Sequence, residues 1–185
     1  MKHDSKGIIL GILVLGTVLG FPGSSRPPVL TAHADISGEP GSNVSGEALF
    51  VQGGSGILPT VLVVVEVRGL QPGSVHGLHI HEVGTCEPDF KAAGGHFDPG
   101  PYGLSDPDAN HPFHMGDLPN LVAGETGVAV LEHRTSRITL SPGPLSLFDE
   151  DGSALIVHKD RDEGTTGVSG GAGGGRLACG VIERE

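Results

Sequence analysis

Short apolar runs with alternating or β-branched character are spread along most of the chain, and they predict β-strands. EALFVQ, TVLVVVEVRGL and VHGLHIHEV come first, with the turn-forming QPGS before the third run. TGVAVLEHR, RITL, SLF, SALIVH and RLACGVIER follow. Val, Ile and Thr in such runs suit half-buried strands, and no long segment beyond residue 35 has helical periodicity. We therefore predict an antiparallel all-β domain of about seven or eight strands.

Two long segments lack any convincing period and are predicted as loops. Residues 84–124 are rich in Gly, Pro, Asp and His, and the segment KDRDEGTTGVSGGAGGG follows SALIVH. Residues 35–46 are expected to be a shorter, loose entry to the domain. A loop of some forty residues in a compact domain is either functional or disordered. Since no apolar core can order residues 84–124, a metal site or a disulfide is expected to do so.

The N-terminus has the pattern of an export signal. Lys2 and Lys6 precede the apolar run GIILGILVLGTVLG, and the small-x-small sequence AHA ends at Ala34. We predict a signal peptide at residues 1–34 and a domain at 35–185, with an exported product and no membrane span after cleavage. Because the run lies some way from AHA, an uncleaved anchor remains as the alternative.

Composition and charge narrow the classes of function. Gly is abundant at 32 residues and Trp is absent, which suits short strands joined by turns. The net charge is −11, and the predicted signal carries more basic than acidic residues, so the mature domain is more acidic still. An acidic protein of this kind repels phosphate backbones, which argues against nucleic acid as a partner.

Histidines supply the candidate chemistry. His79 and His81 are separated by one residue in a predicted strand, so both side chains point to the same face. Two neutral imidazoles side by side can bind a borderline metal such as copper or zinc. The alternative is a pair of surface histidines on an edge strand. His96, His111, His114 and His158 occur in loops or at a strand end, as in a metal site assembled from distant segments.

Cys86 and Cys179 are the only cysteines. A pair in an exported protein favours one disulfide, and two free buried thiols are the alternative.

Four sequence blocks, in this order, resemble the secreted bacterial copper–zinc superoxide dismutases. They are HGLHIHEVGTCEPDFKAAGGHFDP, HMGDLPN, ALIVHKDRD and GGGRLACGVI, and the likeness spans about residues 44–183. The resemblance implies a Greek-key β-sandwich, or flattened barrel, of about eight strands with two long functional loops. It implies a disulfide between Cys86 and Cys179, and it matches His76 to a histidine that forms structural hydrogen bonds.

The resemblance also implies a set of ligands. His79, His81, His96 and His158 match the copper ligands, and His96 matches the histidine that also binds zinc. His114 and Asp117 match two further zinc ligands. Asp162 matches an aspartate that links copper-side and zinc-side histidines, and Arg176 matches the arginine that receives the anionic substrate. The alternative for Arg176 is a structural role, although its place before LACG favours the functional one, and the alternative for Asp162 is an ordinary loop charge.

One departure from the family pattern concerns zinc. A third zinc-ligand histidine is expected about eight residues after His96, where this chain has Leu104. We predict that His111 takes this role; otherwise zinc is weakly bound, completed by water, or absent.

The resemblance implies conversion of superoxide to oxygen and hydrogen peroxide by a copper that cycles between oxidation states, with a structural zinc. It is compatible with a homodimer. An exported copper-binding or copper-buffering protein with little turnover is the alternative, and a purely structural β-sandwich would not explain the ligand set.

Overall fold

The structure, a computed structural model, describes residues 29–53, 58–100 and 105–185. The predicted signal core within residues 1–28 and the residue Leu104 lie outside this part. In the described ranges the chain forms nine strands: β1 (Leu30–Gly38), β2 (Ser45–Gly53), β3 (Thr60–Arg68), β4 (Val75–His81), β5 (Asp117–Val122), β6 (Ala129–Thr135), β7 (Ala154–His158), β8 (Arg176–Val181) and β9 (Glu183–Arg184). A short 3-10 turn covers Phe90–Ala93.

The strands form one antiparallel sheet that curves into a nearly closed barrel. Their order is β5-β4-β7-β8-β1-β2-β3-β6, with β9 paired to β1. The two ends of this order, β5 and β6, also approach each other. Sequence neighbours and sheet neighbours differ at β4–β7, β8–β1 and β3–β6, which are the crossovers of a Greek key. The prediction of an all-β Greek-key fold of about eight strands is confirmed.

The barrel interior follows from the alternation of apolar residues in the strands. In β3 every second side chain is fully buried, from Val61 to Val67, while the intervening ones are partly exposed. Phe50 of β2 and Leu78 of β4 pack into the same cluster. Since apolar burial is the main favourable term in folding, this alternation fixes which face of each strand points inward.

Strand β4 departs from this pattern because it is covered on both sides. Leu78 and Ile80 belong to the apolar core, whereas His79 and His81 are also completely buried. The two long loops that the sequence predicts are present. They cover residues 82–116, which include the 3-10 turn, and residues 159–175. A backbone bridge pairs His81 with His96, and the Asp160 carbonyl accepts a hydrogen bond from the Gly77 amide. The loops therefore fold back over the outer face of β4.

Several local predictions differ from the structure. Strand β5 lies within residues 84–124, which we predicted as irregular, and β1 includes part of the expected loose entry. RITL and SLF are not strands and share only an isolated bridge, Thr139 to Ser146. Their apolar residues Ile138, Leu140 and Leu147 are nevertheless buried, so burial rather than strand pairing explains their composition.

The predicted domain boundary after Ala34 falls inside β1. Residues 30–34 pair with β2, and Ala32 and His33 also pair with β9. Ala32 and Ala34 are 0% and 1% exposed. Because both side chains pack in the core, residues 30–34 are part of the folded barrel. Within the described ranges, no helix is long and apolar enough to cross a bilayer.

A pair of truncations tests this boundary. A chain that begins at Asp35 loses five strand pairs with β2 and both partners of β9. At a net ~1 kcal/mol for each lost hydrogen bond, and ~2–4 °C per kcal/mol for a domain of this size, its melting temperature should fall by about 10 °C or more. A chain that begins at Val29 is the control and should melt like the parent domain. Equal melting of both truncations would contradict a role for residues 30–34 in the fold.

Candidate metal centre

The predicted site residues meet between the outer face of β4 and the two loops. His79 and His81 lie on β4, His158 ends β7, Asp117 begins β5 and Arg176 begins β8. The loop 82–116 supplies His96, His111 and His114, and the loop 159–175 supplies Asp162. The six histidines are at most 3% exposed and the two aspartates 8% exposed. Two groups of these residues bring their donor atoms within 4.8 Å of one another.

The first group consists of His79, His81, His96 and His158. In each ring one nitrogen has a protein partner: His79 Nε2 at Asp162, His81 Nδ1 at the Gly94 carbonyl, His96 Nδ1 at Asp117 and His158 Nδ1 at the Gly174 carbonyl. The other nitrogens are left over. His79 Nδ1 and His96 Nε2 are buried with no partner, and His81 Nε2 lies 3.4 Å from His158 Nε2.

The second group surrounds the Asp117 carboxylate. His96 Nδ1 is 2.7 Å from Oδ1, while His114 Nδ1 and His111 Nδ1 are 3.0 and 3.3 Å from Oδ2. Three Nδ1 atoms from three loop positions thus converge on one carboxylate. The donor atoms that lie within 4.8 Å of one another here are those of His79, His96, His111 and Asp117; His114 is not among them and joins the group through its 3.0 Å contact with Asp117. The Nε2 of His79 is already occupied by Asp162. Three nitrogens and one carboxylate oxygen are a tetrahedral donor set of the kind that zinc takes.

Asp162 connects the two groups. Its Oδ2 is 2.9 Å from His79 Nε2 and its Oδ1 is 2.5 Å from His111 Nε2. With the Nε2 atoms hydrogen-bonded to this carboxylate, the Nδ1 atoms of both rings are free to bind a metal. Asn120 holds Asp162 in place, because its side-chain amide exchanges two hydrogen bonds with the Asp162 backbone, at 2.9 and 3.0 Å.

Burial keeps most of these imidazoles neutral. Desolvation lowers the pKa of His79 and His81 well below the usual value, lowers that of His96, and lowers that of His158 to about 4. Burial also opposes the charged form of His114, yet the Asp117 carboxylate outweighs it and raises the pKa of that ring. Hydrogen bonds from His114 and His96 hold the pKa of Asp117 below its ordinary value despite its burial. Burial thus favours the neutral rings of His79, His81, His96 and His158, and Asp117 is held ionised, which are the forms that bind metals, whereas the raised pKa of His114 favours its protonated form, which does not.

A cavity of about 280 Å³ opens beside His158, and Arg176 lines it. The Arg176 guanidinium donates to the backbone carbonyls of Phe90 and Gly94. Gly173 allows the second loop to pass this close, since it has a φ of +98° and an added Cβ would lie 2.8 Å from the His158 Cβ. The cavity thus joins the first histidine group to a fixed cation.

The predicted disulfide is confirmed: Cys86 and Cys179 are bonded, with their Cα atoms 5.9 Å apart. The bond ties the start of the first loop to β8. Phe90 and Gly94, whose carbonyls hold Arg176, lie shortly after Cys86 in that loop. The covalent link and the arginine contacts therefore stabilise the same region.

His76 and His133 lie outside both groups. His76 Nδ1 donates to the His158 carbonyl at 2.8 Å, a structural hydrogen bond of the kind that the resemblance implies. His133 lies on β6, opposite Val63 of β3 and half-buried.

Sequence reasoning missed three supporting residues. Glu82 accepts a hydrogen bond from the Gly95 amide at 2.8 Å, Thr166 Oγ1 donates to the His111 carbonyl at 2.6 Å, and Asn120 holds Asp162. Asn120 lies inside the matched block HMGDLPN and Glu82 inside HGLHIHEVGTCEPDFKAAGGHFDP, which was a usable signal. Thr166 carries no signal in the sequence, because its partner is a backbone atom distant along the chain.

Comparisons with known proteins agree with this geometry. The family described as copper/zinc superoxide dismutase (SODC) matches residues 44–182. Superoxide dismutase [Cu-Zn] 1 of Aquifex aeolicus is 38% identical over 158 residues, covering 83% of this chain and 88% of the relative. Superoxide dismutase [Cu-Zn] of Deinococcus radiodurans is 37% identical over 186 residues, covering 95% of each.

A crystal structure of a SOD-like protein from Bacillus subtilis superposes with a TM-score of 0.65 at 31% identity, covering 80% of this chain and 96% of that one. The fold, the histidine groups and the match over most of the sequence have one common explanation. The chain belongs to the copper/zinc superoxide dismutase family.

Proposed function

We propose that the chain converts superoxide to oxygen and hydrogen peroxide at a copper held by His79, His81, His96 and His158. A structural zinc would be held by His96, His111, His114 and Asp117. The observation that carries the proposal is the convergence of donor atoms: those of His79, His81, His96 and His158, and those of His79, His96, His111 and Asp117, lie within 4.8 Å of one another. Three of these nitrogens, His79 Nδ1, His96 Nε2 and His111 Nδ1, are buried without a partner among the described residues. Buried polar atoms are rarely left without partners unless a ligand takes that role.

Copper would supply one-electron chemistry, for which imidazole ligands are suitable in both oxidation states. Zinc has no redox chemistry, so its role would be to hold the first loop in place. The histidines contribute by staying neutral at ordinary pH, since burial holds the pKa of His158 at about 4. Asp162 and the Gly94 and Gly174 carbonyls fix the ring orientations.

His111 is proposed as the zinc ligand in place of a histidine at position 104. Its Nδ1 lies with those of His96 and His114 around Asp117, and its Nε2 donates to Asp162. The second contact supports the assignment as strongly as the first. Through Asp162, His111 is linked to His79 on the copper side, and the family resemblance implies such a link through this aspartate.

Arg176 is proposed to receive the anionic substrate. It lines the same cavity as His158, and a cation there gives a local attraction that the net charge of −11 does not. Long-range repulsion is screened beyond roughly 8 Å at physiological salt, so the local field dominates within the cavity. His96 has a nitrogen facing each group, and its Nε2 is placed to carry a proton towards the product.

The alternative, a copper-buffering protein with little turnover, would need the first histidine group but not Arg176. A cation fixed beside an accessible cavity favours catalysis. Superoxide consumption by metal-loaded protein separates the two functions.

Replacement of His158 tests the copper assignment. His158→Ala removes one of four proposed ligands, and outer contacts to a ligand alone are worth 10–100-fold, so activity should fall on the order of a hundredfold or more. Copper per chain, measured by elemental analysis, should fall with it while the circular dichroism spectrum is retained. His133→Ala is the matched control, since this histidine lies on β6 outside both groups. A His158 variant with full copper and full activity would refute the assignment.

Replacement of His111 tests the zinc assignment. His111→Ala should lower zinc per chain while leaving most of the copper, because the first group does not include this ring. Loss of a ligand present at ~100 times its dissociation constant removes about 3 kcal/mol, which corresponds to about 5–10 °C in melting temperature. His133→Ala is again the control. Unchanged zinc content in the His111 variant would remove this residue from the site.

We also propose export, with the leading segment acting as a signal that is cleaved before Leu30 or retained as an anchor. The disulfide supports an oxidising compartment. A cut after Ala34 would remove part of β1. N-terminal sequencing of protein recovered outside the cytoplasm identifies the cleavage site. A mature chain that begins at Asp35 would contradict cleavage before Leu30. A homodimer is compatible with the function, and analytical ultracentrifugation measures the oligomeric state.

A further inference from the structure

The cavity beside His158 and Arg176 contains an acidic side chain that the proposed reaction does not use. Asp108, from the first loop, lines the cavity together with Gly170, Ala172 and Gly174 of the second loop. The reacting species is an anion, so a carboxylate at this point opposes its entry. Nothing in the sequence pattern around SDPDAN singles out Asp108 from its neighbours.

The Asp108 carboxylate is held at one oxygen and left without a partner at the other. Its Oδ2 accepts a hydrogen bond from the Gly170 amide at 3.0 Å. Its Oδ1 is buried and has no hydrogen-bond partner among the residues that the structure describes. Among the residues that the structure describes, none forms an ion pair with Asp108. The two Arg176 contacts go to the Phe90 and Gly94 carbonyls, so Arg176, which lines the same cavity, does not pair with Asp108.

We propose that Asp108 sets the anion affinity of the cavity by opposing Arg176. The inference rests on the proposed assignment of His158 and Arg176 to the substrate cavity. A partly buried carboxylate is screened less by salt than a surface one, so its charge acts directly on an anion in the cavity. The charge lowers the affinity of the cavity for every small anion, whether it is an unreactive one such as azide or superoxide itself.

A structural role for Asp108 is also present and must be separated from the electrostatic one. Its backbone carbonyl accepts from the Gly167 amide at 2.5 Å, and its own amide donates to Asp106 Oδ1 at 3.1 Å. Together with the Gly170 contact, these bonds join the two loops. The backbone contacts survive any side-chain substitution. Asparagine at position 108 keeps an acceptor oxygen for the Gly170 amide while it removes the charge.

The test compares four variants of the full, metal-loaded protein by azide titration of the copper absorption band. Asp108→Asn should tighten azide binding by about three- to tenfold and raise kcat/KM for superoxide in the same direction. Asp108→Ser, a second neutral variant, should do the same if the asparagine form folds poorly. Asp106→Asn is the matched control, since it changes the net charge equally at an exposed position two residues away. Arg176→Ala should weaken azide binding.

The outcomes distinguish the role of Asp108 from the assignment of the cavity as the substrate site. Tighter azide binding in the Asp108 variants, with Asp106→Asn unchanged, supports the proposal. Unchanged azide affinity in both Asp108 variants while Arg176→Ala weakens it overturns the role of Asp108 and leaves the cavity assignment intact. Unchanged affinity in all variants overturns the cavity assignment itself. An equal gain in Asp106→Asn assigns the effect to net charge and also overturns the proposal.

Discussion

The carboxylate of Asp162 is the contact on which the arrangement of the site depends. One oxygen accepts from His79 on the barrel and the other from His111 on the first loop, while the residue itself belongs to the second loop. Three segments distant in sequence are therefore joined through two atoms. Because each ring donates its Nε2 hydrogen to this carboxylate, both are held as the tautomer with Nδ1 open. Without Asp162 both rings would lose the acceptor that orients them, and the two groups would lose the link between them.

The two loops show how a barrel can support segments that have little apolar content. The barrel core is assembled mainly from alternating side chains such as those of β3, and the first loop adds Phe97 to it. The rest of the loops is held largely by polar contacts around the histidines and by the disulfide. Such contacts are costly when incomplete, since buried donors and acceptors without partners are destabilising. Metal binding would complete them, which links occupancy of the site to order in the loops.

The sequence predicted the parts of this molecule that follow from local periodicity. The i, i+2 spacing of His79 and His81 correctly placed both rings on one face of a strand. Strand β5 was missed because Pro119 and Asn120 interrupt its apolar pattern, and its pairing with β4 decides its conformation. Strand β1 was missed because its small residues also fit a cleavage site. RITL favoured a strand by composition, but it has no neighbouring strand with which to pair.

The sequence predicted a site residue only where a residue type that can bind metal or substrate lies within, or close to, one of the matched blocks. His111 could be inferred because a histidine was missing at position 104 and a spare one followed nearby. The placement of Asp108 and the support from Thr166 depend on how two loops meet, and no single-sequence pattern encodes that meeting.

The disulfide has a topological consequence for the whole centre. Cys86 and Cys179 are separated by 93 positions, so their bond turns most of the chain into a covalent ring. Asp162, Arg176 and every proposed ligand except His79 and His81 lie within that ring. Closing a ring of this size removes about 4–5 kcal/mol of conformational freedom from the unfolded chain. An oxidised chain that has lost its metals therefore searches a much smaller space to rebuild the centre than a reduced one does.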